Sequence, residues 1–307
     1  IVIGLTKERK MKSLLFYEKI NKKINLINGN ITDKKLIKKI IEKYKIDICF
    51  HLAAQVEVGR ARHKPFETWE TNIKGTYSFL DAVRESRHNV KSIVIASSDK
   101  AYGEYGLKHM PYRENYQLKA IYPYDTSKAC ADMIAQTYSS SLYNLPIITT
   151  RFSNIYGPGQ INFTALIPDS IKSCINNKKF IIRGNGEDVR DFIYIDDIVD
   201  LYKLLSKNLF LKPKKYNAEV FNAGTNTPHK IKDVLKKIFF YKNKKKEYFE
   251  LIKKAKKNKT KGEISVQFMD YEKLKKFFNW KPKKKLDDVI PTLYTWYENY
   301  LKNENRF

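Results

Sequence analysis

Cysteine is scarce in this sequence, which has three in 307 residues, at Cys49, Cys130 and Cys174. None has a second cysteine nearby. We therefore expect neither a disulfide framework nor a bound metal, and we interpret each as a small core residue in a reducing compartment. No apolar run approaches the roughly 20 residues that a membrane-spanning helix needs, and the first ten residues lack the basic leader of a signal peptide. The sequence predicts a globular, cytoplasmic protein with no membrane partner.

Acidic residues are few relative to basic ones, 33 against 59, so the net charge is +26. Such a charge raises the possibility of a nucleic-acid partner. The excess, however, is nearly all lysine and is spread along the chain, and lysine lacks the planar fork with which arginine reads bases. The densest run, residues 242–261, is interpreted as a solvated helix or loop face. We therefore predict no nucleic-acid partner.

Short apolar runs alternate with stretches of helical period. The predicted strands are residues 1–5, 24–27, 46–52, 92–96 and 146–151. The predicted helices are residues 33–44, 65–86 and 126–143, the first capped by Thr32 or Asp33. Because the strands are apolar throughout, they indicate a parallel sheet covered on both faces. With right-handed crossovers this is an α/β fold with a doubly wound, Rossmann-like sheet, in which ligands bind beyond the carboxyl ends of the strands.

Glycine and proline become more frequent after about residue 157, in the segments G-P-G-Q and R-G-N-G. This change predicts two domains. Residues 1–157 would form the main sheet domain, and residues 158–307 a smaller C-terminal lobe. Within that second part, residues 193–205 and 220–224 are expected to return to the main domain.

Tyr124 and Lys128 belong to the segment Y-D-T-S-K at the start of a predicted helix. A spacing of four places both side chains on one helix face. A nearby ammonium stabilises a phenolate, so we expect the pKa of Tyr124 to lie below its ordinary value of about 10, which makes it a base near neutral pH. The spacing also occurs by chance in a chain rich in tyrosine and lysine, and surface packing is the alternative.

Polar side chains follow the predicted strand 92–96 directly, in the order Ser97, Ser98, Asp99 and Lys100. A hydroxyl, a carboxylate and an ammonium at the carboxyl end of a parallel strand stand where a ligand is expected. A polar turn with a capping serine is the alternative interpretation. Combined with the downstream Y-x-x-x-K spacing, the segment favours a catalytic site.

The chain resembles the extended short-chain dehydrogenase/reductase family of NAD-dependent nucleotide-sugar epimerases and 4,6-dehydratases. The resemblance runs over almost the whole chain and rests on several segments in the family's order. These are FHLAAQ (50–55), TNIKGT (71–76), SSDKAYG (97–103), YPYDTSK (122–128), RFSNIYGPGQ (151–160), VRDFIYIDD (189–197), FNAGT (221–225) and FFNWKP (277–282). The resemblance implies that the main domain binds NAD and the smaller lobe binds the substrate.

By position, the resemblance implies catalytic roles for three side chains. Ser98 would hydrogen-bond the sugar oxygen that is oxidised. Tyr124 would act as the base, and Lys128 would hold the cofactor ribose while lowering the pKa of the tyrosine.

Further positions would contact the cofactor. Leu52, Ala53 and Ala54 would line the dinucleotide, although strand-end packing is the alternative. Asn30 and Ile31 would contact adenine, where the family usually has an acidic residue in place of Asn30. They are joined by Asn72, for which a structural hydrogen bond is an equal alternative.

On the substrate side, the resemblance assigns the diphosphate to Asn154 and Arg190. The planar guanidinium of arginine suits phosphate oxygens. The alternative for Arg190 is an ion pair with Asp191 or Asp196.

The reaction type depends on Asp99. The family's 4,6-dehydratases carry an acid at this position to expel the C6 hydroxyl, whereas its epimerases have a small or hydroxyl-bearing residue. Ser98-Asp99-Lys100 resembles the triplet of CDP-glucose 4,6-dehydratases, although VRDFIYIDD is the general family form. Lys100 stands where the dTDP-glucose enzymes have a glutamate base for C5, and a lysine can do this only when neutral or through water. A C4 epimerase remains the alternative.

The family's glycine-rich turn, which holds the NAD pyrophosphate at a helix N-terminus, has no counterpart in this sequence. The opening I-V-I-G-L matches the family's second strand, so we expect that a first βα unit of about 30 residues is missing. Either the sequence is a fragment, or the protein is a cofactor-less binding or scaffold protein. Thr6, Lys7 and Arg9 follow this strand where an acidic residue would read the NAD ribose, so NADP stays open.

Family members commonly dimerise through two helices per subunit. In this chain those helices would be residues 65–86 and 126–143. The resemblance therefore implies a homodimer that acts on a nucleotide sugar.

Overall fold

The computed structural model describes residues 1–7, 13–255 and 262–303. Arg9, one of the residues that left NADP open as the cofactor, lies outside the described residues. Residues 256–261 of the lysine-rich run do so as well. The strands are β1 (Ile3–Thr6), β2 (Asn25–Asn28), β3 (Ile48–His51), β4 (Ser92–Ala96), β5 (Ile147–Phe152), β6 (Asn154–Tyr156), β7 (Val189–Arg190), β8 (Phe192–Tyr194), β9 (Val220–Ala223), β10 (His229–Lys230) and β11 (Val266–Gln267).

The helices lie between these strands. They are α1 (Leu14–Tyr17), α2 (Lys34–Tyr44), α3 (Val58–His63), α4 (Pro65–Trp69), α5 (Gly75–Arg84), α6 (Pro123–Ser139), α7 (Leu166–Ile175), α8 (Ile195–Leu211), α9 (Pro213–Tyr216), α10 (Ile231–Tyr241), α11 (Lys245–Lys254), α12 (Glu272–Phe278) and α13 (Leu286–Asn303). In the described part of the chain, none of them is both long and apolar enough to cross a membrane.

The central sheet has four parallel strands in the order β3–β4–β5–β9. β1 and β2 form a separate parallel pair. This confirms the predicted α/β fold with parallel, Rossmann-like strands. Each predicted strand lies within two residues of an observed one.

Both faces of the central sheet are covered, as the continuous apolar strands predict. On one face Ile93, Ile95 and Ile147 join a core with residues of α2, α5 and α6. On the other face Ile148 and Phe152 pack against α8. Successive residues of a strand point to opposite faces of the sheet. Because helices cover both faces, the side chains on both must be apolar.

Two helix predictions need refinement. Helix α6 begins at Pro123 rather than at residue 126, because proline has no N–H to lose in the first turn of a helix. The predicted helix 65–86 is α4 and α5 joined by a π-helical segment, Glu70–Lys74.

Of the two residues predicted to cap α2, the structure selects Asp33, whose Oδ1 accepts a hydrogen bond from the Leu36 amide at 3.0 Å.

The C-terminal part of the chain has its own apolar core, which contains residues of α7, α10 and α13 such as Ile171, Leu235 and Leu293. Two of its segments return to the central sheet: β9 pairs with β5, and α8 packs on the face opposite α6. α8 and β9 overlap residues 193–205 and 220–224, and the assignment of these residues to the main domain stays a prediction. The division at residue 157 itself stays a prediction.

Candidate active site

The chain turns sharply after β4 and exposes polar groups at the carboxyl end of the strand. The amide of Ser97 still bonds to the Thr150 carbonyl at 2.8 Å, and a 3-10 turn, Asp99–Tyr102, follows at once. Ser98 caps this turn, since its Oγ accepts from the Lys100 amide at 3.2 Å, and it also donates to Asp99 Oδ1 at 3.0 Å. Ser98 therefore caps a polar turn and also belongs to the polar cluster, so these two interpretations of the segment do not exclude each other.

Tyr124 lies in the first turn of α6 and faces this cluster. Its side chain is buried, and both Ser98 and Asp99 are near enough to act on its pKa. The pKa of Tyr124 is raised, first by burial and then by the carboxylates of Asp99 and Asp125, while Ser98 opposes the rise. The expectation that Lys128 lowers this pKa is therefore wrong for the protein alone. Removal from water disfavours the phenolate, and the two neighbouring carboxylates disfavour it further.

Lys128 is buried one helical turn further along α6. Its Nζ donates to the Ala96 carbonyl at 2.9 Å, at the last residue of β4. Burial lowers the pKa of Lys128 to about 8, with Asp132 opposing. An ammonium has three donors, so it can bond further acceptors in addition to Ala96.

A buried ion pair fixes α6 on the sheet. Arg151 of β5 makes two hydrogen bonds to Asp132 of α6, Nε to Oδ2 at 2.8 Å and Nη2 to Oδ1 at 2.9 Å. Both side chains are almost inaccessible to solvent. This bidentate pair aligns the helix that carries Tyr124 and Lys128 with the strand ends.

Two buried carboxylates stand in the cluster with free acceptor capacity. Among the described residues, Asp99 Oδ2 and Asp125 Oδ1 have no hydrogen-bond partner. Burial raises the pKa of Asp99, and the charges of Lys100 and Arg190 oppose it. Burial likewise raises the pKa of Asp125 to about 7, where Lys100 opposes and Asp99 adds. Such groups are candidates for proton transfer.

Three cations surround the carboxylate of Glu263. Lys100 Nζ lies 3.3 Å away, Arg62 Nη2 3.1 Å and Arg190 Nη2 3.6 Å. Although burial alone would raise the pKa of Glu263, these charges hold it below its ordinary value. Glu263 and these three cations together carry a net positive charge, which suits an anionic ligand.

Among the described residues Arg190 pairs with Glu263, and no ion pair joins it to Asp191 or Asp196, the alternative considered from the sequence. Asp191 instead accepts hydrogen bonds from the Thr225 hydroxyl and from the amides of Thr225 and Asn226. Asn154 is tied to the same segment, since its Nδ2 donates to the Asp191 carbonyl at 3.1 Å.

The predicted cofactor residues lie at the carboxyl ends of β2 and β3. Leu52 is 55% exposed, Ala53 is also exposed, and Ala54 is half-buried. At the end of β2, Asn30 is exposed and its Oδ1 accepts from the Thr32 amide at 3.2 Å, while Ile31 is half-buried. The predicted cofactor residues at these two strand ends, which belong to separate sheets, are thus exposed or half-buried.

Asn72 makes the contacts of a structural residue. Its Nδ2 donates to the Ser127 hydroxyl at 2.8 Å and to the Gln55 carbonyl at 3.1 Å, and its Oδ1 accepts from the Gln55 amide at 2.7 Å. It thereby joins the π-helical segment to α6 and to the loop after β3. A direct role at the cofactor stays a prediction.

Sequence reasoning missed Asp125, Glu263 and Arg62. Asp125 stands inside the quoted segment Y-D-T-S-K and could have been found as an acid beside the proposed base. Glu263 and Arg62 are far apart in sequence, and no local pattern marks them. In the described residues no group of three or more histidine, cysteine, aspartate or glutamate side chains could hold a metal.

The parallel sheet, the Ser-Tyr-Lys arrangement at the end of β4 and the cationic cluster define the class of extended short-chain dehydrogenases/reductases that act as nucleotide-sugar epimerases and dehydratases. A family model described as GDP-mannose 4,6 dehydratase matches residues 4–293. The chain belongs to this family.

Two curated relatives are dTDP-D-glucose 4,6-dehydratases. The enzyme of Dictyostelium discoideum is 33% identical over 261 residues, which are 78% of this chain and 58% of that protein. The enzyme of Homo sapiens is 32% identical over 240 residues, 78% of this chain and 65% of that protein. The chain thus spans about three fifths of the length of these relatives.

Among solved structures, dTDP-glucose 4,6-dehydratase from Bacillus anthracis in complex with NAD superposes with a TM-score of 0.81. It is 27% identical, and the match covers 97% of this chain and 88% of that one. The similarity therefore includes both the central sheet and the C-terminal lobe.

Proposed function

We propose that this protein is a nucleotide-sugar 4,6-dehydratase that converts a nucleoside-diphosphate hexose into a 4-keto-6-deoxy sugar with bound NAD. The observation that carries the proposal is the carboxyl of Asp99, which is buried beside Tyr124 and has a raised pKa. A neutral acid next to the base is what the loss of the C6 hydroxyl as water requires, whereas inversion at C4 alone requires none. The dehydratases among the relatives support the same reaction.

The residues at the strand ends fit the nicotinamide half of NAD. When bound, NAD would supply the acceptor and donor of the C4 hydride, together with a positive charge that favours the phenolate. Lys128 would bond the ribose with the donors not used by Ala96. Leu52, Ala53 and Ala54 would line the dinucleotide, and Asn30 and Ile31 would meet the adenine. The pyrophosphate has no glycine-rich turn in this sequence to receive it.

Within this proposal Tyr124 takes the proton of the C4 hydroxyl, and Ser98 holds that oxygen. Asp99 protonates the hydroxyl that leaves C6. Arg190 and Asn154 receive the diphosphate, and Lys100 and Arg62 extend the positive surface around it. CDP-glucose remains our best single prediction for the substrate, and the relatives make dTDP-glucose and UDP-glucose necessary members of any panel.

Replacing Tyr124 by phenylalanine tests the proposal. Tyr124→Phe removes the proton acceptor without changing the ring, so formation of the 4-keto-6-deoxy sugar should fall by about 100-fold or more. Binding of the nucleotide sugar, measured by calorimetry, should change little because the hydroxyl is a small part of the contact surface. The protein is incubated with NAD and CDP-, dTDP-, UDP- and GDP-hexoses, and products are analysed by mass spectrometry. Tyr241→Phe, at a half-exposed tyrosine of α10, is the matched control.

The product mass separates the alternatives. Loss of one water indicates dehydration, whereas gluco–galacto interconversion at constant mass would replace the proposal with a C4 epimerase. A protein that binds nucleotide sugars but neither NAD nor NADP would be a binding or scaffold protein. Turnover by Tyr124→Phe at the rate of the unaltered chain would show that the site is misassigned.

A further inference from the structure

The elimination step needs a base for the C5 proton, and Lys100 cannot easily provide one. The family's dTDP-glucose enzymes have a glutamate where this chain has Lys100. The Lys100 ammonium is paired with Glu263 at 3.3 Å. A protonated ammonium carries only donors and accepts no proton. The C5 proton therefore requires another acceptor close to Asp99 and Tyr124.

Glu263 lies in the same cluster, but its carboxylate already forms ion pairs with three cations. Contacts with Lys100, Arg62 and Arg190 stabilise its ionised form and hold its pKa low. A carboxylate stabilised in this way is a weak base. It is better suited to holding three cations together than to removing a proton from carbon.

Asp125 meets the requirements of a base. It follows Tyr124 directly in the first turn of α6, and its side chain is almost fully buried. Its Oδ1 has no hydrogen-bond partner among the described residues. Asp99, Lys100, Glu263 and Arg190 all act on its charge, so its carboxyl lies near these groups.

Asp99 and Asp125 form a pair of buried carboxyl groups with different surroundings. Two like charges in one low-dielectric site resist simultaneous ionisation, so near neutral pH one group keeps its proton while the other is ionised. Asp99 also receives a hydrogen bond from Ser98 and borders Tyr124. The pKa of Asp125, near 7, matches the work of a base that must later release its proton.

We propose that Asp125 is a catalytic residue that removes the C5 proton while Asp99 protonates the departing C6 hydroxyl. This inference rests on the proposed function. The C5–H electron pair forms the C5–C6 double bond as the C6–O bond breaks, and the hydroxyl leaves as water with the Asp99 proton. Asp125 holds the C5 proton. It returns a proton to C5 when the hydride taken earlier from C4 is delivered to C6, so atoms and electrons balance.

The test separates oxidation from elimination. Asp125→Asn keeps the size of the side chain but cannot accept the proton. On mixing with NAD and the substrate found in the panel, the variant should still show the absorbance of reduced nicotinamide, because Tyr124 and Lys128 are intact. Formation of the 4-keto-6-deoxy sugar should fall by about 100-fold or more, and solvent deuterium should not enter C5.

Asp200→Asn, at an exposed carboxylate of α8, is the matched control and should behave as the unaltered chain. Binding of the nucleoside diphosphate and the unfolding midpoint are measured for each protein. Asp125→Asn turnover within a few-fold of the unaltered rate would overturn the inference. So would loss of nicotinamide reduction together with turnover, since Asp125 would then support the fold of the site. If the unaltered chain reduces no nicotinamide with any sugar, the proposed function itself fails.

Discussion

At the residue scale, burial outweighs the charge pairing that the sequence suggests. The spacing of Tyr124 and Lys128 predicted a phenol made acidic by an ammonium. Both side chains instead lie in a low-dielectric environment that disfavours their charged forms, so the pKa of Tyr124 rises while the pKa of Lys128 falls. The protein alone thus holds Tyr124 as a phenol. Ligands with positive charge are needed to ionise it, which couples the base to cofactor binding in the proposed mechanism.

The raised pKa of Asp125 makes a prediction about stability. In the unfolded chain this carboxyl ionises near 3.8, whereas in the folded protein it keeps its proton to about 7. Between these values the folded state binds more protons than the unfolded state, so this group's contribution to the free energy of unfolding falls as the pH rises. Below 3.8 both states are protonated, and its contribution does not change.

Urea unfolding at a series of pH values measures this effect. The free energy of unfolding of the unaltered chain, minus that of Asp125→Asn, should fall from about pH 4 to about pH 7 and then level off. Asp200→Asn controls for the loss of one negative charge at an exposed site. A difference for Asp125→Asn that does not depend on pH would mean that the carboxyl ionises normally in the folded protein.

At the element scale, helix and turn boundaries position the site. The start of α6 at Pro123 brings both Tyr124 and Asp125 into the first turn, beside the 3-10 turn Asp99–Tyr102. That turn ends at Gly103, whose backbone φ of +73° is one that residues with a side chain rarely adopt. A Cβ at Gly103 would also lie 2.4 Å from the Lys119 carbonyl oxygen. The turn therefore depends on glycine for two reasons.

Gly103→Ala and Gly106→Ala separate these two reasons. Gly106 has a φ of +76°, but a Cβ there would have nothing within 4 Å. Gly106→Ala should therefore cost only the backbone strain, about 1–3 kcal/mol in the free energy of unfolding. Gly103→Ala should cost more and should also lower turnover, because the collision displaces the Asp99 turn. Equal losses in urea unfolding would show that the contact with Lys119 relaxes freely.

At the scale of the whole molecule, apolar side chains remain exposed on the two predicted dimer helices. Phe66 is 72% exposed, Met133 60%, Tyr77 43% and Trp69 41%. Trp69 also donates to the Pro123 carbonyl at 3.1 Å, which links α4 to the start of α6. A surface of this kind marks an interaction site. The homodimer stays a prediction, and this face is where we expect the partner chain to pack.

Sedimentation measures the oligomeric state directly. The unaltered chain should have twice the mass of one chain, and Phe66→Lys combined with Met133→Lys should have the mass of one, because charge at an apolar interface is costly. Because each chain carries a net charge of +26, added salt should strengthen the dimer. Leu211→Lys, at another exposed apolar residue, is the control. A dimer that persists in the double variant would exclude this face.

The sequence by itself determined the parallel α/β architecture, because apolar strand periodicity and helix capping are local properties of the chain. It also placed Ser98 and Asp99 at the carboxyl end of a strand, where ligands bind in parallel sheets, while the family resemblance implied that Tyr124 and Lys128 join them. Only the tertiary structure decided that Glu263, and not Asp191, faces Arg190, and that Asp125 has a buried oxygen without a partner in the described chain. Contacts between distant segments and the loss of water around a charge arise from packing. No local pattern encodes them.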